Sequence, residues 1–350
     1  MRLIHTSDLH LSENRPQTLK ALQEVLDVSE RLAVDMLTIG GDLFDSERDA
    51  EALRPQLRRK FTDNRFTILA IPGNHDREAY AENLDFGPDL KVVTHDPFEV
   101  LSYSDVSLIA LPFRNMPSEQ LYVELKSAAE GDKKCMLLLH CTLDIGFSMQ
   151  DFGDETVWSY FPVSITTLSR LGYDYILAGH FHSQACFRSL GDKGLFAYPG
   201  SPISHTRKEM GKRQVVLIDT EKGDFKAVPL NSFYYDRLQV DVIPEKEDQV
   251  LEDVKQWVAS RASDECALEI EVKGFIKGDE KKFRESLNSI GNNVEIRHEY
   301  RNVERILEHP LFRRFKEKLE SIEGIEDKEK VEASVLDVMA RLLADRKLRG

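Results

Sequence analysis

The first 75 residues alternate short apolar strands with amphipathic helices, and no other feature of the sequence restricts the fold as strongly. The last apolar run of this stretch ends at Pro72-Gly73. Because this order of elements is typical of layered sheets covered by helices, we predict an α/β domain. The predicted elements are a strand at 2–5, a helix at 16–33, a strand at 35–39, a helix near 49–60 and a strand at 66–71. Further strands are predicted near 106–111, 135–139, 174–178, 195–198 and 214–219.

The pattern of the sequence changes near residue 230. Residues 237–243 alternate apolar and polar side chains as a strand does, and a helix, a strand, a helix and a strand are predicted after them. Beyond this β-α-β-α-β module only two amphipathic helices are predicted, and we expect them either to bind a partner or to dock on the rest of the chain. The predicted parts are a larger α/β domain at 1–230, a small α/β domain at 231–301 and a helical tail at 302–350.

Composition excludes several classes of protein. The chain has 350 residues, 41% hydrophobic and 31% charged, which argues against a disordered, collagen-like or disulfide-stapled chain. Its apolar runs are far shorter than the roughly 20 residues that span a bilayer, and its start lacks the apolar stretch of a secretory signal, so we expect a cytosolic protein. Its four cysteines form no metal-binding or disulfide pattern. The net charge of -14 argues against a protein that coats nucleic acid but not against a nuclease with local basic residues.

Five short polar motifs each follow directly after an apolar strand. They are Asp8-Leu9-His10, Gly40-Gly41-Asp42-Leu43-Phe44-Asp45, Gly73-Asn74-His75-Asp76, His140 and Gly179-His180-Phe181-His182. Ligands of open α/β sheets bind beyond the carboxyl ends of the strands, so we expect these turns to converge on one crevice. Two Asp, one Asn and four or five His of these motifs are enough ligands for two divalent ions that share one ligand. Leu9 and Leu11 are expected either to support a dimer or to lie in the core.

The types of residue in these motifs indicate a particular chemistry. A mixed set of nitrogen and oxygen ligands suits Mn²⁺, Fe²⁺ or Zn²⁺ better than Mg²⁺ or Ca²⁺, which prefer oxygen alone. Two such ions about 3.5–4 Å apart hold both nonbridging oxygens of a phosphate ester and generate a hydroxide for in-line attack. Taken singly, each motif is more typical of a capped turn or a surface histidine. The whole set, each member after a strand, favours metal binding and predicts hydrolysis of a phosphoester.

In this order the motifs resemble the signature of the calcineurin-like metallophosphoesterases, over about residues 1–230. The resemblance implies a two-sheet αββα sandwich. It also implies a ligand set for two divalent metal ions. These ligands are Asp8, His10 and His182 for the first ion, Asn74, His140 and His180 for the second, and Asp42 as the bridge between them.

The same resemblance gives His75 the role of proton donor or transition-state stabiliser beside the leaving oxygen, and not that of a metal ligand. An imidazole near two cations must be held in one tautomer, and a nearby carboxylate is the usual means. Asp45, three residues beyond Asp42, fits this orienting role. The alternative for Asp45 is the N-cap of the helix that follows.

The sequence also discriminates between substrate classes of this superfamily. Its phosphoprotein phosphatases carry Arg-Gly after the second motif and Glu after Asn-His, whereas this chain has Ser46-Glu47 and Asp76. Its cyclic-nucleotide phosphodiesterases share the motifs, but their chains usually end where the larger α/β domain ends. The small domain and the helical tail are similar to the SbcD family, the bacterial and archaeal relatives of the meiotic recombination eleven nuclease of double-strand-break repair. The segment Tyr198-Pro199-Gly200-Ser201 also resembles that family.

In the SbcD family the small domain caps the site and contacts DNA, and the tail helices bind the coiled-coil root of an SMC-like ATPase of the SbcC type. Asp45 stands where eukaryotic and many archaeal members have His, so the chain looks closer to the bacterial SbcD or YhaO-like branches. The resemblance therefore implies a Mn²⁺-dependent DNA exonuclease and endonuclease, expected as a homodimer that binds an ATPase through residues 302–350. The alternatives are a small-molecule (cyclic nucleotide) phosphodiesterase and a mainly structural subunit of an ATPase complex.

Basic residues close to the motifs are candidates for binding the phosphates that flank the scissile one. They are Arg77, Arg207 and Lys208, with Lys212 and Arg213 near them in the sequence. The alternative for the cluster of Arg207, Lys208, Lys212 and Arg213 is a solvated helix face. A second basic cluster is expected either to contact phosphate or to form a solvated helix face, and it consists of Arg54, Arg58, Arg59 and Lys60.

Overall fold

A computed structural model of the protein describes residues 1–80, 84–103, 105–144, 161–191, 194–262, 264–291 and 294–348, with the backbone alone for 343–348. The chain divides into two compact units, Met1–Tyr235 and Asp236–Gly350. All five polar motifs belong to the first unit. The second unit contains both the small α/β domain and the helical tail, and the division falls after Tyr235 instead of at residue 230.

Short strands and helices alternate through most of the first unit. Its strands are β1 (Arg2–Thr6), β2 (Met36–Ile39), β3 (Thr67–Ala70), β4 (Leu90–Val92), β5 (Glu99–Ser102), β6 (Val106–Ala110), β7 (Lys134–His140), β8 (Thr142–Leu143), β9 (Pro162–Val163), β10 (Tyr175–Gly179), β11 (Cys186–Leu190), β12 (Gly194–Tyr198), β13 (Gln214–Asp219) and β14 (Asp224–Pro229). Its helices are α1 (Pro16–Arg31), α2 (Glu47–Lys60), α3 (Glu119–Ala128) and α4 (Ile165–Ser169), with a short 3-10 helix at Arg77–Ala79.

Two six-stranded sheets form the frame of the first unit. One has the order β14-β13-β1-β2-β3-β4, in which β1 to β4 are parallel neighbours. The other has the order β11-β12-β10-β7-β6-β5, in which β6, β7, β10 and β12 are parallel neighbours. Since parallel strands all end at the same side of a sheet, each sheet gathers the turns after its central strands at one edge.

The two sheets pack face to face, and helices cover their outer faces. Leu3 and Leu69 of the first sheet share one apolar cluster with Leu108 and Leu177 of the second. Two further clusters lie outside this layer, one under α1 and α2 and one under α3 and α4. Each sheet is therefore buried on both faces, which accounts for the unbroken apolar runs in its central strands. The predicted two-sheet α/β fold is confirmed.

Local sequence signals place the first two helices. Helix α1 begins at Pro16, whose fixed φ and missing N–H suit the first turn of a helix. Helix α2 begins after Ser46, whose hydroxyl accepts a hydrogen bond of 3.2 Å from the amide of Asp49. The N-cap is thus Ser46, and the alternative that gave this role to Asp45 is wrong. Leu9 and Leu11 are fully buried and belong to the core.

The second unit has its own sheet and core. Its elements are β15 (Tyr234–Val242), α5 (Glu247–Ala259), β16 (Cys266–Ile276), α6 (Glu280–Asn288) and β17 (Val294–Asn302). The sheet has the order β15-β16-β17, with β16 and β17 parallel. Val254 of α5 and Leu287 of α6 pack with Ile270 of β16, so both helices cover one face of this sheet.

Three helices follow the small sheet, namely α7 (Glu304–Leu307), α8 (Pro310–Ser321) and α9 (Lys328–Leu348). Phe312 of α8 and Leu336 of α9 are buried in a cluster with Phe275 of β16, so the tail packs on its own unit. Leu311 and Val338 point away from this cluster and are 63% and 56% exposed. Among the described residues, no helix is long and apolar enough to cross a membrane.

Candidate metal centre

The turns after five central strands, three from the first sheet and two from the second, meet at one place in the first unit. Asp8 and His10 follow β1, Asp42 follows β2, and Asn74 and His75 follow β3. His140 ends β7, and His180 and His182 follow β10. A hydrogen bond joins the two groups of turns directly, because the amide of His180 donates to both carboxylate oxygens of Asp8, at 3.1 and 3.0 Å.

The first half of the centre consists of Asp8, His10 and His182, whose ligand atoms all lie within 4.8 Å of one another. All three residues are buried. The Nε2 atoms of the two histidines face each other at 3.2 Å, and Nε2 of His182 lies 3.7 Å from Oδ1 of Asp8. These side chains thus point two imidazole nitrogens and a carboxylate at one small volume, as metal ligands do.

The second half of the centre is built around His140. Its Nδ1 donates to the carbonyl of Gly40 at 2.8 Å, and this bond leaves the lone pair of the neutral ring on Nε2. That Nε2 lies 2.8 Å from Oδ1 of Asn74 and 3.4 Å from Oδ2 of Asp42. The ring of His180 stands edge-on to the ring of His140, with centroids 5.2 Å apart. A nitrogen lone pair that faces two oxygens is repelled unless a cation or a second proton lies between them.

Asp42 lies between the two halves and is fully buried. Its Oδ1 accepts the amide of His75 at 2.9 Å. Its Oδ2 accepts no hydrogen bond from the described residues, yet it lies 3.4 Å from Nε2 of His140 and 3.9 Å from Nε2 of His10. Burial, followed by the carboxylates of Asp76 and Asp8, raises its pKa well above the usual range. The donor set and this uncompensated oxygen fit a pair of divalent ions that share Asp42.

The backbone at these ligands is strained. Residues other than glycine rarely adopt positive φ angles, yet four residues of the centre do so. They are Asp8 at 56°, His10 at 43°, Asp42 at 50° and His180 at 101°. Gly73 cannot be replaced there, because a Cβ atom on it would collide with the carboxylate of Asp42. Strain concentrated at ligand positions is typical of a functional site that the surrounding fold holds in place.

His75 and Asp45 lie at the rim of the first half. His75 is exposed, and its ring stands edge-on to the ring of His10 with centroids 4.7 Å apart. Asp45 places Oδ1 at 3.4 Å from Nδ1 of His10 and at 3.0 Å from Nη2 of Arg15. The ligand atoms of His10, Asp45 and His75 lie within 4.8 Å of one another. Asp45 therefore lies close to His75, but its ion pairs are with His10 and Arg15, and its role in orienting His75 stays a prediction.

Sequence reasoning missed Glu209, a fully buried carboxylate beside the first half. Its Oε1 lies 3.3 Å from Nδ1 of His182, and its Oε2 accepts the amide of His205 at 2.7 Å. Burial opposes the ionisation of Glu209, but the hydrogen bond and charge of His182, together with His205, outweigh it and lower the pKa to about 2. A carboxylate behind a ligating imidazole fixes its tautomer and increases its basicity. Glu209 does not directly follow an apolar strand, so the search for polar motifs after strands could not find it.

His205 and Arg15 complete the enclosure of the first half. Nε2 of His205 donates to the carbonyl of Asp8 at 2.9 Å, and Nδ1 accepts from Nη1 of Arg15 at 3.1 Å. Burial lowers the pKa of His205 to about 3, so its ring is neutral near pH 7. This histidine thus holds the Asp8 turn by its backbone, and it leaves the carboxylate of Asp8 to the centre.

The basic candidates have different surroundings. Arg77 is exposed, and its Nε lies 3.9 Å from the carboxylate of Glu78. Arg207 and Lys208 are also exposed, in the loop that carries His205 and Glu209. Arg213, in contrast, is 1% exposed and donates to the carbonyls of Ser201, Ser183 and His182. Its expected contact with phosphate is therefore wrong, because its guanidinium is used to hold the turn after β10.

Comparisons with known proteins agree with this site. The pattern of the family described as calcineurin-like phosphoesterase matches residues 1–184. The uncharacterized metallophosphoesterase YhaO of Bacillus subtilis (strain 168) is 22% identical over 296 residues, which cover 76% of this chain and 70% of that protein.

Two solved structures are similar at low sequence identity. A dimetal phosphatase from Danio rerio has a TM-score of 0.43 at 10% identity and covers 62% of this chain and 91% of its own. GAP50, the anchor in the inner membrane complex of Plasmodium, has a TM-score of 0.41 at 11% identity and covers 66% and 89%. The family match alone spans more than half of the chain. This chain belongs to the calcineurin-like phosphoesterases, metal-dependent hydrolases that act on phosphoester bonds.

Proposed function

We propose that the protein is a Mn²⁺-dependent, SbcD-like DNA exonuclease and endonuclease that acts in the cytoplasm as a homodimer and in complex with an SMC-like ATPase. The observation that carries the hydrolytic part is the buried Asp42 between two groups of ligands, with His75 exposed at the rim. Two ions held in this way would suit a phosphate ester, because they would hold the phosphate and stabilise both the attacking and the leaving oxygen. A purely structural subunit has no need of such a centre.

Each residue of the site has a defined task in this proposal. The first ion would be held by Asp8, His10 and His182, the second by Asn74, His140 and His180, and both by Asp42. Bound ions supply positive charge for the phosphate oxygens and lower the pKa of water. His75 then donates a proton to the departing sugar oxygen, and its exposed position leaves room for that oxygen. Asp45 and Arg15 fix the neighbouring His10, against which the His75 ring lies.

DNA as the substrate is supported by exposed cations near the centre. Arg207 and Lys208 lie in the loop that also contacts His182 through Glu209, and Arg77 follows His75 by two residues. A polymer needs such cations, because the phosphates on both sides of the scissile bond must be held as well.

A small-molecule phosphodiesterase is the second candidate, and one observation in the second unit favours it. On the face of its sheet opposite to α5 and α6 the cations are paired with carboxylates, since Arg237 and Arg297 both contact Glu269 at 2.8 Å. Lys273 pairs there with Glu271 at 3.0 Å. A face whose cations are already paired offers less attraction to a phosphate backbone than the basic stripe of a typical DNA-binding domain.

Cleavage assays separate the two candidates. We would incubate an end-labelled DNA duplex with the protein and Mn²⁺, with bis-p-nitrophenyl phosphate in parallel and Asp42→Ala as the control. DNA degradation that disappears in the control supports the nuclease. Turnover of the model diester while DNA stays intact, also after addition of an SbcC-type ATPase, would favour the small-molecule enzyme.

The exposed apolar side chains of the tail are the proposed contact with the ATPase. Leu311 on α8 and Val338 on α9 are solvent-exposed, so Leu311→Glu with Val338→Glu leaves the buried side of these helices unchanged. We expect at least about a tenfold loss of affinity for a purified SbcC-type ATPase, because each new carboxylate would be buried at the contact without a partner. Val123→Glu, at a position 61% exposed on α3, is the matched control. Unchanged affinity in the double variant would refute a contact through these two side chains.

A further inference from the structure

A cavity of about 460 Å³ opens beside the second half of the metal centre. Pro72, which lines it, directly precedes the turn of Asn74. Phe113 also lines it, and the ring of Phe113 stands edge-on to the ring of His140 with centroids 5.9 Å apart. A hydrogen bond of 3.2 Å from the amide of Phe113 to the carbonyl of Pro72 joins these two walls. The volume lies within the range of about 300–1,000 Å³ that small-molecule sites occupy.

The wall of this cavity carries a guanidinium group that is only partly satisfied. Arg114 is 27% exposed, and its Nη2 contacts the carboxylate of Asp96. Its Nε is enclosed and makes no hydrogen bond to any described residue. Enclosed donors are almost always satisfied in folded proteins, so the described residues do not use the whole hydrogen-bonding capacity of this guanidinium, and its exposed part can donate to a ligand in the cavity. Arg77 also lines the cavity, so the lining has two arginines and one carboxylate, that of Asp96. An anion with several oxygens is therefore the ligand that fits these donors.

Two aromatic rings form another part of the same wall. Phe113 is almost fully buried, and Tyr80 donates its hydroxyl to Asp76 at 2.7 Å, so both rings are fixed by the fold. Rings held in place in this way favour a flat, uncharged ligand, and a nucleobase is such a ligand. Guanidinium and aromatic groups in one cavity together match the phosphate and the base of a nucleotide.

We propose that this cavity binds the nucleotide next to the scissile phosphodiester, with its phosphate on Arg114 and Arg77 and its base against Phe113 and Tyr80. The proposal rests on the function proposed above, since it names a nucleic acid as the molecule that reaches the neighbouring metal centre. In this proposal the second half of the centre, through the cavity beside it, also selects the substrate, and the first half does not.

Binding of thymidine 5′-monophosphate to the full chain tests this proposal without any need for hydrolysis. We would measure dissociation constants by calorimetry, with Mn²⁺ and with EDTA, for the wild type and Arg114→Met. We expect at least about a tenfold weaker affinity in Arg114→Met, because a charge-assisted hydrogen bond is lost. Arg65→Met, at an exposed arginine outside the cavity, is the matched control and is expected to bind as the wild type does.

Arg77→Met provides a second reading that does not depend on how well Arg114→Met folds, because Arg77 is exposed. We expect about a two- to fivefold loss of affinity in this variant. Unchanged affinity in both variants, or no binding to the wild type, overturns the proposal. Equal affinity for inorganic phosphate and for thymidine 5′-monophosphate overturns the contact with the base. DNA cleavage is measured in a separate assay. The proposed nucleotide site and the proposed nuclease activity can therefore be refuted independently of each other.

Discussion

The two halves of the metal centre are enclosed in different ways. In the first half, carboxylates stand behind the imidazoles: Glu209 behind His182, and Asp45 beside His10. In the second half, a backbone carbonyl holds His140, and the neighbouring Phe113 lines a cavity. A carboxylate increases the basicity of an imidazole more than a carbonyl does. We therefore expect the first half to keep its ion more tightly and the second half to be nearer to the substrate.

The largest effect is expected where the two halves share a ligand. Asp42→Asn should release both ions and lower hydrolysis of bis-p-nitrophenyl phosphate by at least about 10³-fold, since several kcal/mol of charge stabilisation are lost. The same change should raise the melting temperature of the metal-free protein, because it removes a buried carboxylate whose pKa burial raises. Metal analysis and thermal unfolding measure these effects, with Asp27→Asn on the surface of α1 as control. If Asp42→Asn retained both ions, Asp42 would not be a ligand common to the two halves, and the comparison between them would be wrong.

His75 is expected to affect chemistry at the rim and not the metal content. His75→Ala should slow hydrolysis by about 10²–10⁴-fold, the usual contribution of a positioned proton donor. The metal content should remain that of the wild type. If an ion is lost together with the activity, His75 is a ligand of the first half, and that half has one more imidazole than we assign to it.

Glu209 tests the comparison most directly, because it touches the first half alone. Glu209→Gln keeps the size of the side chain but removes its charge, and it should weaken one of two Mn²⁺ sites by about 10–100-fold. A two-site titration with Mn²⁺ resolves this change, and Glu221→Gln, at an exposed position, is the control. Equal weakening of both sites would show that the two halves are not supported independently.

The smallest effect concerns His5 of β1, whose ring nitrogens contact Thr38 of β2 and Ala178 of β10. It is fully buried, and its Nε2 donates to the carbonyl of Ala178, just before Gly179-His180. Burial lowers its pKa to about 4, against the weaker opposite effect of its hydrogen bonds to Ala178 and Thr38. In the unfolded chain the pKa of His5 is about 6.5, so the unfolded chain binds a proton there at a higher pH than the folded chain does. The folded state therefore loses stability as the pH falls from 6.5 towards 4.

This histidine should account for about 2 kcal/mol of the stability lost between pH 7 and pH 5. Urea unfolding of the metal-free protein at both pH values measures the loss, and His5→Gln should reduce it by that amount. An equal loss in wild type and variant would show that His5 does not link the two sheets as a neutral ring.

The sequence alone was sufficient to predict the central strands that precede the candidate metal centre. The apolar runs of β1, β2, β3, β7 and β10 are continuous because these strands are buried on both faces, and each ends in a polar motif that local reading detects. The strands at β4, β5, β11 and β14 and helix α3 were not predicted. These strands carry exposed side chains such as Lys91, Arg188 and Lys226, so their pattern of apolar and polar residues does not differ from that of a loop.

Tertiary structure alone decided which polar side chains support the ligands. Glu209, His205 and Arg213 lie in or after the loop that follows β12, and nothing in their spacing indicates that this loop folds back on His182 and Asp8. Arg213 has the charge of a phosphate contact, yet it is buried against three carbonyl groups. Candidate ligand positions can be proposed from strand ends because a strand fixes the direction of the residue that follows it. The role of a loop residue depends on which distant groups fill its hydrogen bonds, and only the folded chain determines that.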